Sequence, residues 1–267
     1  MTLACLMAVC LAACGGDDEP TVDELLSEET TPIEFQFSGY SYYYGSEHIL
    51  YDYAGSRYVG SDTIRNSTCT INLRQGNHKL IWINGLWPTF PLWGNNGQNK
   101  SGVYYDPQAK TVTNFYPDGN TGHIIVYCEN DLEVTSYLMP TQKIEYKPLT
   151  CVLKIKITDS QAGQKGRIVG VPSVMSVSLT GDDFSLNNTD LPTDSIRRYE
   201  EVFMLCPAKG FDDIQPVVEV TDNGGNVVPT TTLPKFSLKR GYVTSLRGPI
   251  FTGSTSDWEV IMEQYRE

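Results

Sequence analysis

From Pro32 onward the apolar residues recur at every second position: Ile33, Phe35 and Phe37 alternate with Glu34, Gln36 and Ser38. That period sends one face of a pleated strand to a core and the other to water. Tyr40 to Tyr44 and Ile49 to Tyr53 continue in aromatic, β-type composition, with Gly45 and Gly55 as breaks. Thr70 to Leu73, a turn around Gly76, and Leu80-Ile81-Trp82-Ile83 predict a strand, a reversal and then a strand apolar on both faces. Leu86 to Gly97 reads as a Pro- and Gly-punctuated loop carrying Trp87 and Trp93, and Asp118 to Gly122 as a hairpin turn before the apolar strand His123 to Cys128.

A composition break at Met139 to Lys143 marks a domain boundary. Beyond it lies the cleanest alternation in the chain, with Cys151, Leu153, Ile155 and Ile157 on one face and Val152, Lys154 and Lys156 on the other. Val174 to Leu179 repeats it, with Met175, Val177 and Leu179 expected inward. Glu201 to Pro207, Gln215 to Thr221 and Phe236 to Leu246 supply further strands, and Asp222 to Asn226 a turn. No helical period of consequence separates Pro32 from Phe251, so the class is all-β; Thr255 to Tyr265 fits either a short strand or a short helix.

The N-terminal residues follow a different rule. Met1 to Cys10 are uncharged and apolar or small, and the run ends in Leu11-Ala12-Ala13-Cys14 before the acidic Gly15-Gly16-Asp17-Asp18-Glu19. That order resembles a bacterial lipobox, which implies cleavage between Ala13 and Cys14 and a lipid on the Cys14 thiol. A plain secretory signal is the competing reading. A membrane span would need about 18 consecutive apolar residues, and this run is broken too early. No Lys or Arg precedes it, which places the true start upstream of Met1 or makes Met1 a miscalled one. Residues 14–31 read as a lipidated acidic tether in which Val22 to Leu26 could form one helical turn. An acidic patch directly after such a cysteine resembles the surface-export signal of Bacteroidales lipoproteins.

Charge narrows the partners: a net −12 argues against nucleic acid, whose phosphates are bound by Lys and Arg, and against anionic headgroups as the membrane contact. Chemistry is sparse. His48, His78 and His123 lack a metal-ligand or catalytic neighbourhood, and the adjacent pairs Asp182-Asp183 and Asp212-Asp213 would point to opposite faces of a strand. No catalytic residue, metal site or cofactor is expected. Cys69, Cys128, Cys151 and Cys206 sit in strand patterns as small buried hydrophobes, and any disulfide pairing among them stays open.

Several segments together resemble the fimbrillin-like lipoproteins of the Bacteroidales, in particular the FimB-type fimbrial anchor and minor fimbrial subunits. They are the lipobox, Asn72 to Gly76 with Leu80 to Asn84, the opening strand Leu149 to Ile155, and the closing Leu238 to Thr244. The resemblance implies two tandem transthyretin-like (Greek-key) β-sandwiches, at 32–143 and 144–252, after a signal peptide at 1–13 and the tether, with a tail at 253–267. It also implies an outer-membrane, surface-exposed anchor or accessory subunit of a fimbria, held by the lipid on Cys14 and joined to a pilin subunit by strand complementation. Stalk subunits of that family are cut after an Arg in the N-terminal segment, and here no Arg occurs between Cys14 and Arg57. The alternative is a surface glycan-binding lipoprotein of a polysaccharide-uptake system, for which Trp87 and Trp93 are the candidate ligand-binding aromatics, while Trp82 belongs to the core.

Overall fold

The computed structural model describes residues 19–38, 47–86, 102–116, 120–159, 165–186, 200–221, 227–252 and 254–265. After a single helical turn, α1 (Val22–Leu25), the first half of the chain carries β1 (Leu26–Ser38), β2 (His48–Ala54), β3 (Arg57–Ile64), β4 (Thr68–Asn84), β5 (Val103–Asp106), β6 (Thr111–Asn114), β7 (Val126–Val134), β8 (Gln142–Glu145) and β9 (Lys147–Pro148). The second half carries β10 (Thr150–Ile157), β11 (Lys165–Val169), β12 (Val174–Ser178), β13 (Phe184–Leu186), β14 (Glu200–Leu205), β15 (Phe211–Ile214), β16 (Val217–Thr221), β17 (Val227–Thr232), β18 (Phe236–Leu238) and β19 (Tyr242–Gly248). A 3-10 turn, Thr255–Asp257, precedes β20 (Glu259–Gln264). The all-β class read from the alternation is what forms.

β4 organises the first half. Its early residues pair antiparallel with β1, and its later residues pair with β2 and β7, in a sheet ordered β3-β2-β4-β1-β8 with β7 and β9 attached. Leu80, Ile81, Trp82 and Ile83 are all fully buried, because successive side chains point to opposite faces and both faces are covered. Leu80 and Trp82 meet Ile33, Phe35 and Ile144 on one side. Ile81 and Ile83 meet Tyr53, Val103, Tyr105, Val112, Val174 and Val177 on the other. This second layer is a four-stranded sheet, β13-β12-β6-β5, in which β6 from the first half pairs antiparallel with β12 from the second.

A separate core fills the second half. Cys151, Leu153, Ile155 and Ile157 point inward from β10 as the alternation predicts, against Val218, Val220, Leu233 and Phe236. β10 lies antiparallel to β14 and parallel to β19 in the sheet β14-β10-β19-β20, and β11-β16-β17 forms a smaller sheet.

Four local expectations change. No turn forms at Gly76, which sits inside one continuous strand at φ +141° and lets Leu26 pack where a Cβ would lie 2.7 Å from its Cδ2. Met175 is 40 % exposed instead of inward, because a register shift between Val174 and Ser176 hands the inward position to Val174. The first strand starts at Leu26, within the stretch that composition alone marks as tether. The tail, left open between helix and strand, forms β20. Residues 118 and 119 of the turn read at Asp118 to Gly122, the turn read at 222–226, and residues 87–97 of the loop read from Leu86 to Gly97 lie outside the described residues.

Candidate functional site

The two terminal strands lie in different sheets and hold opposite positions, and the edge of the last one is the candidate site. β1 is an interior strand, antiparallel to β4 on one edge and parallel to β8 on the other. Its inward residues Ile33 and Phe35 are fully buried and Phe37 nearly so. Phe35 and Phe37 each pack with ring centroids 5.0 Å from Trp82, and Phe37 stacks face to face on His48 at 4.0 Å. Burying such side chains contributes roughly 1.5–3 kcal/mol each.

The residues before β1 are fastened to β4. Arg74 donates to Asp23 at 2.9 Å and to the carbonyls of Leu26 and Ser27, both at 2.7 Å. Its own carbonyl lies 2.7 Å from His78 Nε2, while His78 Nδ1 lies 2.7 Å from a carboxylate oxygen of Asp52. Both ring nitrogens therefore face acceptors, a geometry that only the doubly protonated imidazolium satisfies. Burial alone would depress His78, but the bonds to Asp52 and to the Arg74 carbonyl override it and hold its pKa above the ordinary value. His48 is the opposite case: burial pushes it down to about 4, so it is neutral beside Phe37, with Nδ1 2.7 Å from the Tyr146 hydroxyl. His123, also buried, is depressed by desolvation against a bond to the Gly85 carbonyl.

β20 is an edge strand. Trp258 anchors it, buried in the second core against Gly248, where any Cβ would collide with the indole. From there Glu259 to Gln264 run antiparallel to Arg247 to Tyr242, and Tyr265 N–H donates to Gly241 O at 2.7 Å. Ladder alternation then turns the N–H and C=O of Val260, Met262 and Gln264 away from β19. Among the described residues no strand pairs with that edge. Val260, Ile261 and Met262 are 37 %, 42 % and 43 % exposed. The strand has no Pro, no Lys and no bulge, and its charges, Glu259 and Glu263, flank the apolar run Val260 to Met262. Beside it a groove of about 240 Å³ runs over the outer face of the sheet, with Lys154, Lys156 and Arg247 on one side and Glu259 and Ile261 on the other.

Ala13, Cys14, Trp87 and Trp93 lie outside the described residues. Trp82 is a core residue, as read from its strand. The three histidines are spread over separate strands and loops, and among the described residues no cluster of three or more His, Cys, Asp or Glu could hold a metal ion. No helix among them is long and apolar enough to cross a membrane. Arg74, Trp258 and the β20 edge escape sequence reasoning. The available signals were a lone cation in a strand and an apolar run, Val260-Ile261-Met262, framed by glutamates.

No protein-family model matches the chain, and no curated protein does. Solved structures do. A candidate cell adhesion protein from Bacteroides uniformis aligns with a TM-score of 0.51 at 12 % identity, over 90 % of this chain and 99 % of that one. The chain shares its fold. A candidate cell adhesion protein from Bacteroides eggerthii gives 0.51 at 9 % identity over 89 % and 96 % of the two chains. A fimbrial assembly protein from Parabacteroides distasonis gives 0.46 at 8 % identity over 88 % and 96 %.

Proposed function

We propose that this protein is a surface lipoprotein of the outer membrane, acylated at Cys14, that serves as an anchor or accessory subunit of a fimbria and binds a pilin subunit by strand complementation. The observation that carries the reading is the contrast in edges: β1 pairs with β4 over Thr30 to Gln36 and with β8 over Phe35 to Ser38, whereas among the described residues no strand pairs with the outer edge of β20. Where β8 pairs it, over Phe35 to Ser38, β1 leaves no vacancy for a neighbour's strand. The open edge at β20 offers three residues' worth of unpaired backbone groups and an apolar flank, which is what an added strand needs. The absence of Arg between Cys14 and Arg57 supports retention of the N-terminal segment, and with it the lipid.

Mass spectrometry of the protein from its native cells tests the anchor. The expected N-terminus is an acylated Cys14 followed by an intact 15–31, and loss of that segment would overturn the assignment. Affinity capture through the lipidated protein is expected to bring down pilin subunits. Recovery of a polysaccharide-uptake receptor instead, with glycan retention lost in W87A/W93A, would turn the reading to glycan binding.

A further inference from the structure

Two thiols meet in the core of the second half. In the β10–β14 ladder Cys151 lies opposite Met204 and Thr150 opposite Leu205, and the pairing runs on through the Cys206 N–H, which donates to Leu149 O at 2.9 Å. The pleat therefore puts Cys151, Met204 and Cys206 on one face, with Cys206 the diagonal neighbour of Cys151. Both are free thiols in this structure, and the neighbouring Cys206 thiol, with burial, holds the Cys151 thiol well above its ordinary pKa. Both residues are fully buried in one apolar cluster, and the Cys206 thiol lies 3.8 Å from Leu238 O. Elsewhere Cys128 Sγ lies 3.1 Å from Asn130 Oδ1, and Cys69 is half-buried on β4.

We infer that Cys151 and Cys206 are a disulfide-forming pair that ties β10 to β14. The bond replaces a weak thiol–thiol contact with an S–S bond of about 2.05 Å and needs a small closing movement of the two side chains. It forms by exchange: one thiolate attacks the disulfide of an oxidised dithiol protein, and the second thiolate then displaces that carrier from the mixed disulfide. The two cysteines lose two electrons and two protons, and the carrier's disulfide is reduced to two thiols. Because both sulfurs are sealed from solvent in the finished fold, closure precedes burial and the finished bond is shielded from external reductants. Meeting such a carrier in the cell rests on the proposed export. The pairing itself does not.

The test has two arms. In the first, the full chain is reduced, unfolded and refolded with oxidised glutathione, free thiols are alkylated, and tryptic peptides are mapped. A cross-link between peptides 144–154 and 199–209, about 2 Da lighter than the two reduced peptides together, is expected. It should vanish in C151S and in C206S, and its reduction should lower Tm by roughly 10 °C. Recovery of both cysteines as alkylated thiols, or a cross-link to Cys69 or Cys128, would overturn the pairing. In the second arm the same peptides are mapped from protein isolated under alkylating conditions from native cells, where the cross-link is again expected. A cross-link that forms in the first arm and is missing in the second counts against export and leaves the pairing standing.

Discussion

β1 and β20 are the two ends of the described fold, and they are built on the same alternating logic to different ends. In β1 the alternation is strict from Thr31 onward, β4 pairs it over Thr30 to Gln36 and β8 over Phe35 to Ser38, and the inward side chains pack on an indole and an imidazole. In β20 apolar residues occupy three consecutive positions, one edge is open, and every side chain is exposed. A strict period two is what a strand needs when one face must be dry. An unbroken apolar run on an open edge has no such explanation within the chain and marks a surface meant for something else. The difference assigns stability to the first strand, and association through the last is what the proposed function adds.

The comparison breaks most directly at Phe35. Phe35→Ala removes a fully buried ring packed on Trp82 and should cost about 3–5 kcal/mol in denaturant unfolding. A cost below about 1 kcal/mol would mean that β1 is no more integral than β20. Next in size is Trp258→Ala. It empties the position against Gly248 that pins the tail, and should cost about 3 kcal/mol. The indole Nε1 is buried without a partner, so part of the loss is returned when it goes. Hydrogen exchange should then show the amides of β20 opening while those of β1 keep their protection.

A pH titration sharpens the contrast from the side of β1. His48 has a folded pKa of about 4 against about 6.5 unfolded, so its contribution is fully present above pH 6.5 and is lost as the pH falls towards 4. Unfolding free energy should drop by about 2–3 kcal/mol over that window from this group, and the drop should shrink in His48→Gln. His123, depressed by burial, adds a loss of the same sign. His78 runs the other way: its folded pKa is raised, so its contribution is fully present below pH 6.5 and is lost as the pH rises through the folded value. All three histidines belong to the first half of the chain, so acid should loosen β1 and its neighbours before the sheet that carries β20. Local exchange rates measured at pH 4.5 and pH 7.5 check that order.

How far the sequence reaches follows the same division. Strict alternation made β1 and β10 legible residue by residue, and the continuous apolar run of β4 announced a strand covered on both faces. Gly76 misled because a glycine between two strand patterns looks like a reversal, when its missing Cβ serves the close approach of Leu26. Met175 misled because a bulge moves the inward position by one residue without changing the composition. The pairing of β6 with β12 has no local signal, since partners distant in sequence are chosen by packing. The Arg74 clasp could not be read either: a cation that grips two carbonyls and a carboxylate looks, in sequence, like any solvated strand residue. Leu11-Ala12-Ala13-Cys14, by contrast, is read from residue order alone, and its lipidation belongs to the proposed function.

The smallest effect on the fold should carry the largest effect on association. Met262→Lys places a charge on an exposed position of β20 whose backbone faces the open edge, and should change unfolding free energy by no more than about 0.5 kcal/mol. An edge lysine is also the device with which sheets resist further pairing, because an incoming strand would have to bury its ammonium group. Under the proposed function, capture of pilin subunits should therefore fall sharply in Met262→Lys while Tm and circular dichroism stay unchanged. Lys143→Met on β8, a terminal strand of the other sheet, offers the matching control: it removes a charge far from β20 in the topology and should leave capture as it was. If Met262→Lys binds as the parent does, the open edge of β20 is not where the partner strand is added, and the contrast between the two ends of the chain describes stability alone.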